Sequence, residues 1–174
     1  MKRTDGSNPQ RCQIRAAEGG DAVALSVLAM RSKAHWGYDD EFMSQCRSEL
    51  TWPPEQIDAP QFDFQVCWLE KAPIAFYALE RIDSKVTELE ALFVEPQYIG
   101  KGIGRMMLQH AKARAASQGA SRMVIQGDPN AASFYEKAGA LLNGSRESSS
   151  IPGRQLPLYE LNLSPQIDDT ETGK

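Results

Sequence analysis

The chain has little cysteine and less histidine. Its three cysteines, Cys12, Cys46 and Cys67, are odd in number, widely spaced and without a C-x-x-C pair. That excludes a disulfide framework and gives no zinc-binding spacing, so reduced thiols in a cytoplasm are expected. Two histidines, His35 and His110, are too few and too far apart for a metal site. Long apolar runs are missing as well. The polar start MKRTDGSNPQ leads into no hydrophobic segment, and no run reaches bilayer length, so neither export nor a membrane anchor is expected. There is no surplus of positive charge: 19 Lys and Arg face 23 Asp and Glu, a net charge of -4. This argues against a general nucleic-acid binder, which needs a basic face, and suits a cationic or amine substrate.

What is present is ordinary globular composition, 41% hydrophobic over 174 residues, enough for one soluble domain with its own core. No internal repeat or second domain is visible. Residues 1–9 read as a flexible N-terminal arm, 10–163 as a single domain, and the polar SPQIDDTETGK, 164–174, as a disordered tail. A short first strand is expected at 10–15. Asp21 is placed to cap a helix over AVALSVLAMRSKAHW, whose inner face is either Val23, Val27 and Met30 or Leu25, Leu28 and Ala29. A second helix follows from Asp39 or Asp40, with Phe42, Met43 and Cys46 on one side, and stops before Trp52-Pro53-Pro54.

From Phe62 the period changes to that of strands. FDFQVCWLE and PIAFYALERID read as a hairpin rich in aromatic and β-branched residues, and TELEALFV, 87–94, as the third strand of an antiparallel meander. Alternation follows: a helix over 101–117, a strand at 122–126, a helix over 129–138 with Asp128 as N-cap and Gly139 just past its end, then strands near 141–145 and 156–163. An antiparallel half passes into a strand-helix-strand half. The class is therefore α/β with a mixed sheet of about six to seven strands and about four helices.

Between strand 87–94 and the next helix lie Gly100, Gly102 and Gly104, a loop suited to a phosphate. Glycines let main-chain N–H groups approach an anion, and a helix start adds orphan donors and a positive dipole end. A nucleotide P-loop fails, because Lys101 sits between glycines with no Ser or Thr after it. A dinucleotide fingerprint fails for want of the third glycine and of an acid closing the next strand, where Gln126 stands. A pyrophosphate held by 97–102 after a meander remains.

The run V-x-P-x-x-x-G-x-G-x-G, here Val94-Glu95-Pro96 through Gly100, Gly102 and Gly104, resembles the acetyl-CoA signature of the GNAT superfamily of N-acetyltransferases. Phe134-Tyr135-Glu136-Lys137-Ala138-Gly139 stands at the matching distance, and the order of elements agrees over roughly residues 12–163. The resemblance implies a GNAT-like fold, its central sheet splayed between strands 87–94 and 122–126, with acetyl-CoA as cosubstrate and no metal. By position, Leu92, Phe93 and Val94 would hydrogen-bond the pantetheine arm through main chain. Gln97, Ile99, Gly100, Lys101, Gly102, Ile103, Gly104 and Arg105 would hold the pyrophosphate. Asn130 is carried over as a further cofactor contact, while Asp128, at the place where the family often has asparagine, reads as an N-cap.

Acetyl transfer to an amine needs a neutral amine, a polarised carbonyl and a proton for the departing thiolate. Tyr135 matches the family's proton donor to sulfur, and a phenol of pKa about 10 suits a thiol near 8.5; the competing reading is a core aromatic. Glu90, taken to share a face with Leu92 and Val94 and so to point into the cleft, is the candidate base, with a water chain as the alternative. The main-chain N–H of Val94 or a neighbour would polarise the carbonyl. Trp36, Tyr38 and Arg154 are assigned to the acceptor side, because the first helix pair and the last loop select substrates in this superfamily; Trp52 reads as packing. The expected activity is direct acetyl transfer from acetyl-CoA to a small or amino-acid-like amine. The alternatives are a protein or peptide N-acetyltransferase and a non-catalytic acyl-CoA sensor. A homodimer is common in the family, but no interface is legible.

Overall fold

A three-strand meander forms the half of the sheet on which the rest is assembled. In the computed structural model, which describes residues 12–163, β2 (Phe62–Leu69), β3 (Ala72–Arg81) and β4 (Val86–Val94) run antiparallel, joined by tight turns. The first turn places Glu70 at φ 56°. The expected N-terminal arm and C-terminal tail lie outside the described residues. β1 (Gln13–Ala16) pairs with β2 at one edge, and β5 (Arg122–Gln126) pairs parallel with β4. β6 (Leu141–Glu147) and β7 (Gln155–Asn162) complete seven strands in the order β1-β2-β3-β4-β5-β7-β6. The last strand returns between β5 and β6, so β6 is the outer edge.

The helices divide between the two faces. On one face lie α1 (Ala22–Ala34), α2 (Asp40–Cys46) and α3 (Pro54–Ile57); on the other, α4 (Ile103–Ser117) and α5 (Ala132–Lys137). Five helices stand where about four were expected. The additional one is the single turn α3, which Pro54 at its first position starts by supplying a helical φ without needing an N–H partner. Of the two inner faces open for α1, the structure selects Leu25, Leu28 and Ala29, all fully buried, and leaves Val23 and Val27 at 76% and 45% exposure. The Asp21 carboxylate does not cap α1. It accepts from the Glu18 N–H at 2.9 Å and from Arg15 instead.

Each face carries its own core. Ile103, Met107, Leu108, Ala111 and Ala115 of α4 pack against Leu79, Leu89, Met123, Ile125 and Tyr159 of the sheet. On the opposite face Trp52 meets Phe64, Phe76 and Phe93 at ring distances of 6.2, 5.3 and 6.0 Å. Burial of such rings at about 25 cal/mol per Å² makes these cores the main stabilising term. They also give the site a rigid floor.

Two irregularities of β4 create the site. First, β4 and β5 pair over only three positions, from Val86↔Arg122 to Glu88↔Val124, after which the strands diverge. The edge of β4 from Leu89 to Val94 therefore faces a gap. Second, the β3–β4 register shifts: Ala78 pairs with Ala91 but Leu79 with Leu89, leaving Glu90 as the extra residue of a bulge. The bulge reverses the in-out alternation. Leu89 and, three residues later, Leu92 both pack on the α4 face, whereas Ala91 and Phe93 pack on the α1 face. The expectation that Glu90 shares a face with Leu92 and Val94 by simple alternation is corrected here, because the extra residue breaks the two-residue period between them.

Candidate active site

The gap between β4 and β5 opens into a cleft of about 510 Å³. The β4 run 88–94 lines it on one side. Gln126, Asp128, Asn130 and Tyr135 line it on the other, and the loop of Gly100, Gly102 and Gly104 together with Lys33, Trp36, Glu49 and Ser149 completes the lining.

The glycine loop meets the cleft end-on. A 3-10 turn at Pro96–Tyr98 leads from β4 into it, and Gly100 and Gly102 adopt φ of 77° and 86°, a region that disfavours any residue with a Cβ. A Cβ on either would meet nothing within 4 Å, so the space above both is open to a ligand. Gly102 starts α4, whose first N–H groups, of Ile103, Gly104 and Arg105, have no partner within the helix. Gly104 lies 3.4 Å, measured from an added Cβ, from the Phe134 ring, so α4 and α5 are close-packed there. Of the loop residues singled out from the sequence, Ile99, Gly100, Gly102, Gly104 and Arg105 line the cleft; Gln97, Lys101 and Ile103 do not. The Lys101 N–H goes to the Tyr98 carbonyl at 3.3 Å and its ammonium lies 5.8 Å over the Tyr98 ring.

The open edge of β4 presents main-chain groups. The Glu95 N–H donates to the Ile74 carbonyl of β3 at 2.8 Å, so by alternation the N–H groups of Val94 and Leu92 point to the cleft edge. The Val94 N–H donates to Ser32 Oγ of α1 at 3.3 Å. Buried Glu95 is anchored by Arg31 of the same helix, whose Nε donates to it at 3.0 Å.

Glu90 and Tyr135 stand on the two sides of the gap. Neither side chain has a hydrogen-bond or ion-pair partner among the described residues. Glu90 is exposed along the open cleft, but the surrounding walls restrict solvent at its carboxyl enough to raise it from an ordinary 4.5 to about 7; Glu88, Glu80 and Glu49 add to the rise and Arg146 opposes it. Tyr135 is 7% exposed, its ring packed against Phe134 and Tyr159. Burial, with the Asp128 charge nearby, pushes its phenol well above the ordinary range, so it stays protonated at neutral pH. Gly127 is required behind it, since a Cβ there would lie 3.3 Å from both tyrosine rings. A protonated phenol can donate a proton, and a carboxyl titrating near neutrality can accept one.

Around Asp128 the structure assembles residues that sequence reading did not gather. Asp128 caps the turn Pro129–Ala131, as expected, through the Asn130 N–H at 2.9 Å, but its carboxylate is also a hub. It accepts from the Tyr38 hydroxyl at 2.9 Å and from Lys33 Nζ at 3.4 Å, and Arg154 lies 4.0 Å away. Burial raises Asp128, but the Asn130 N–H, Tyr38 and Lys33 outweigh it and hold the carboxyl below its usual value. Tyr38 also accepts from Arg154 at 2.8 Å and from Asn130 Nδ2 at 3.1 Å, and stacks on Phe42 at 4.1 Å. Tyr38 and Arg154 thus stand behind Asp128 rather than in the cleft lining, while Trp36, 41% exposed, lines it directly. Lys33, Glu49 and Glu88 went unnoticed in the sequence because lone charges on a helix and a strand carry no local signal. Glu88 is buried and accepts from Arg146 at 2.6 Å; Glu49 accepts from Ser149 at 3.0 Å. Among the described residues no three His, Cys, Asp or Glu are grouped to hold a metal, and no helix is long and apolar enough to cross a membrane.

The model of the acetyltransferase (GNAT) family matches residues 26–140, about two thirds of the chain. The chain belongs to that family. This GNAT enzyme, an acyltransferase, is 32% identical over 150 residues to the peptidyl-lysine N-acetyltransferase YjaB of Escherichia coli, covering 84% of this chain and 91% of that one. It is 34% identical over 73 residues to the protein of the same name from Salmonella typhimurium, a match spanning 42% of this chain and about half (48%) of that relative. The fold is shared with the PaiA N-acetyltransferase of Thermoplasma acidophilum, solved in complex with coenzyme A, at a TM-score of 0.69 and 20% identity, covering 87% of this chain and 98% of that one. The splayed mixed sheet of this GNAT domain and the cleft along β4 are thus an acetyltransferase architecture.

Proposed function

We propose that this acetyltransferase moves an acetyl group from acetyl-CoA to the primary amine of a lysine side chain, directly, with Glu90 as base and Tyr135 as acid. The observation that carries the reading is the pair of unpartnered groups on either side of the β4–β5 gap, a carboxyl raised to about 7 and a buried, protonated phenol. The open space above Gly100 and Gly102 and the unpaired N–H groups of Ile103, Gly104 and Arg105 fit a pyrophosphate, with the Arg105 and Lys101 side chains supplying positive charge nearby. Leu92 offers its main-chain N–H on the open edge, where an extended pantetheine chain, passing Phe93, would lie as an added strand, while the Val94 N–H is already held by Ser32 Oγ. The Asn130 carboxamide lines the same cleft, its Nδ2 donating to Asp128 and Tyr38. Acetyl-CoA supplies the activated thioester; the protein supplies position and proton transfer.

A lysine amine, with pKa about 10.4, arrives protonated. Glu90, ionised near neutrality and flanked by Glu88 and Glu49, attracts the ammonium and takes its proton. As the nitrogen bonds the acetyl carbon and the C–S bond breaks, Tyr135 donates its phenolic proton to the departing thiolate, and the second proton shed by the nitrogen as the amide forms returns the phenolate to phenol. No cysteine lines the cleft, and burial pushes the Cys67 thiol up, with Cys12 beside it adding to the rise, which supports direct transfer over an acetyl-enzyme. The carboxylates in the wall favour a cationic amine, and among such amines the names of the two curated relatives favour lysine over a small molecule. The test is thiol release from acetyl-CoA with three acceptors: an N-terminally blocked lysine peptide, a peptide whose one amine is its N-terminus, and a set of small amines. Turnover is expected with the blocked peptide. Release with small amines alone would overturn the lysine reading.

A further inference from the structure

The acceptor end of the cleft contains two cations, which is unfavourable for a substrate that arrives as a cation. Lys33 Nζ lines the cleft with its side chain only 11% exposed, and the Arg154 guanidinium stands just behind, 4.8 Å over the Phe42 ring. Both converge on one carboxylate. Asp128 lies 3.4 Å from Lys33 and 4.0 Å from Arg154, and Glu49 meets Lys33 from the other side at 3.9 Å. Two carboxylates therefore balance two cations in this wall. At the effective dielectric of such sites, an uncompensated positive charge a few ångströms from a bound ammonium repels it strongly.

We propose that Asp128 determines acceptor specificity by cancelling the charges of Lys33 and Arg154, which makes the cleft permissive to a cationic amine. Its geometry is over-determined for a helix cap alone. The Tyr38 hydroxyl spends its one proton on Asp128 and both lone pairs on Arg154 and Asn130, so the hub has no spare capacity and one arrangement. Three segments are drawn together by it: the end of α1 with the start of α2, the loop before α5, and the loop after β6. The last is also tied down by Ser149 to Glu49 and Ser150 to Cys46. Asp128 acts on the acceptor through the field of the wall. The inference rests on the lysine reading of the preceding subsection, since for a neutral acceptor the balance would not matter.

Asp128→Asn removes the charge while keeping an oxygen that can accept from the Asn130 N–H and from Tyr38. The measurement is kcat/KM at pH 8 for a blocked lysine peptide and for the same peptide with an aminooxy group, uncharged at that pH, in place of the ε-amine, at low and high salt. The variant is expected to lose at least about tenfold more on the charged than on the neutral acceptor, a gap that narrows at high salt because partly exposed charges are screened. Adding Lys33→Gln to Asp128→Asn is expected to restore most of the preference, since it removes the uncompensated cation. Equal losses on both acceptors, or no rescue by the second substitution, would overturn the inference and leave Asp128 a structural cap. Absence of transfer by the wild type to either acceptor would instead overturn the lysine reading, and the inference with it.

Discussion

Replacing Glu90 by Gln should make the protein less active and more stable, and the stability gain should depend on pH. Glu90 is held near pKa 7 by the cleft walls and by Glu88, Glu80 and Glu49. In the unfolded chain it titrates near 4.3. Below that value the carboxyl is protonated in both states and costs the fold nothing. As pH rises from there to about 7 the unfolded chain ionises while the folded form still holds its proton, so stability is lost across that window and the loss levels off above it. Gln, which never ionises, escapes that cost. Each pH unit of displacement is about 1.4 kcal/mol between protonation states, but Glu90 reaches cleft water, and screening reduces the net gain to about 1 kcal/mol. For a domain of this size that is a rise in Tm of about 2–4 °C at pH 8, shrinking as the pH is lowered to 5 and vanishing only below about 4. Thermal melts of both proteins at pH 5, 6.5 and 8 measure it. In parallel, kcat/KM should fall by about 10²–10⁴ and lose its acid limb near pH 7, as expected on losing a general base. A Tm difference that is the same at all three pH values, or of opposite sign at pH 8, would refute the placement of an ionisable carboxyl in a desolvated, acid-lined cleft.

Three further outcomes follow from the same geometry. Tyr135→Phe should lower kcat by about 10²-fold or more while acetyl-CoA still raises the melting temperature, because the lost hydroxyl touches no protein group; equal turnover would remove it from the mechanism. Gly102→Val should abolish stabilisation by acetyl-CoA in the same melts, since a β-branched residue at φ 86° is strained and its side chain enters the open space above the loop. Arg146→Met leaves buried Glu88 without its partner and removes the cation that lowers Glu90, so the acid limb of the pH–rate profile should move above 7 and stability should fall, readable by rate profiles and denaturant melts.

Much of the fold was legible because each element obeys its own period. The α4 stripe of Ile103, Met107, Leu108, Ala111 and Ala115 is apolar at helical spacing and is buried as that spacing predicts. α1 was ambiguous because it is apolar around much of its circumference, and the sheet alone chose Leu25 and Leu28 over Val23 and Val27. Asp21 and Asp128 look alike in the sequence as N-caps. One caps and also gathers Lys33, Tyr38 and Arg154; the other turns back to Glu18 and Arg15. Contacts across 26 to 95 residues leave no trace in local pattern.

The glycine loop, the tyrosine-bearing helix and the family itself were determined by the sequence, since main-chain conformation at Gly100 and Gly102 and the order of strands and helices are written in local residue choice. Tertiary structure decided the chemistry of the cleft. A one-residue bulge set the place of Glu90, and the crowding of carboxylates from β3, β4 and the segment after α2 set its proton affinity. The balance of charge at the acceptor end came from residues 33, 38, 128 and 154, which share nothing but proximity. Proton affinity and field depend on distances between groups and on the water excluded from them, and those are properties of the folded chain alone.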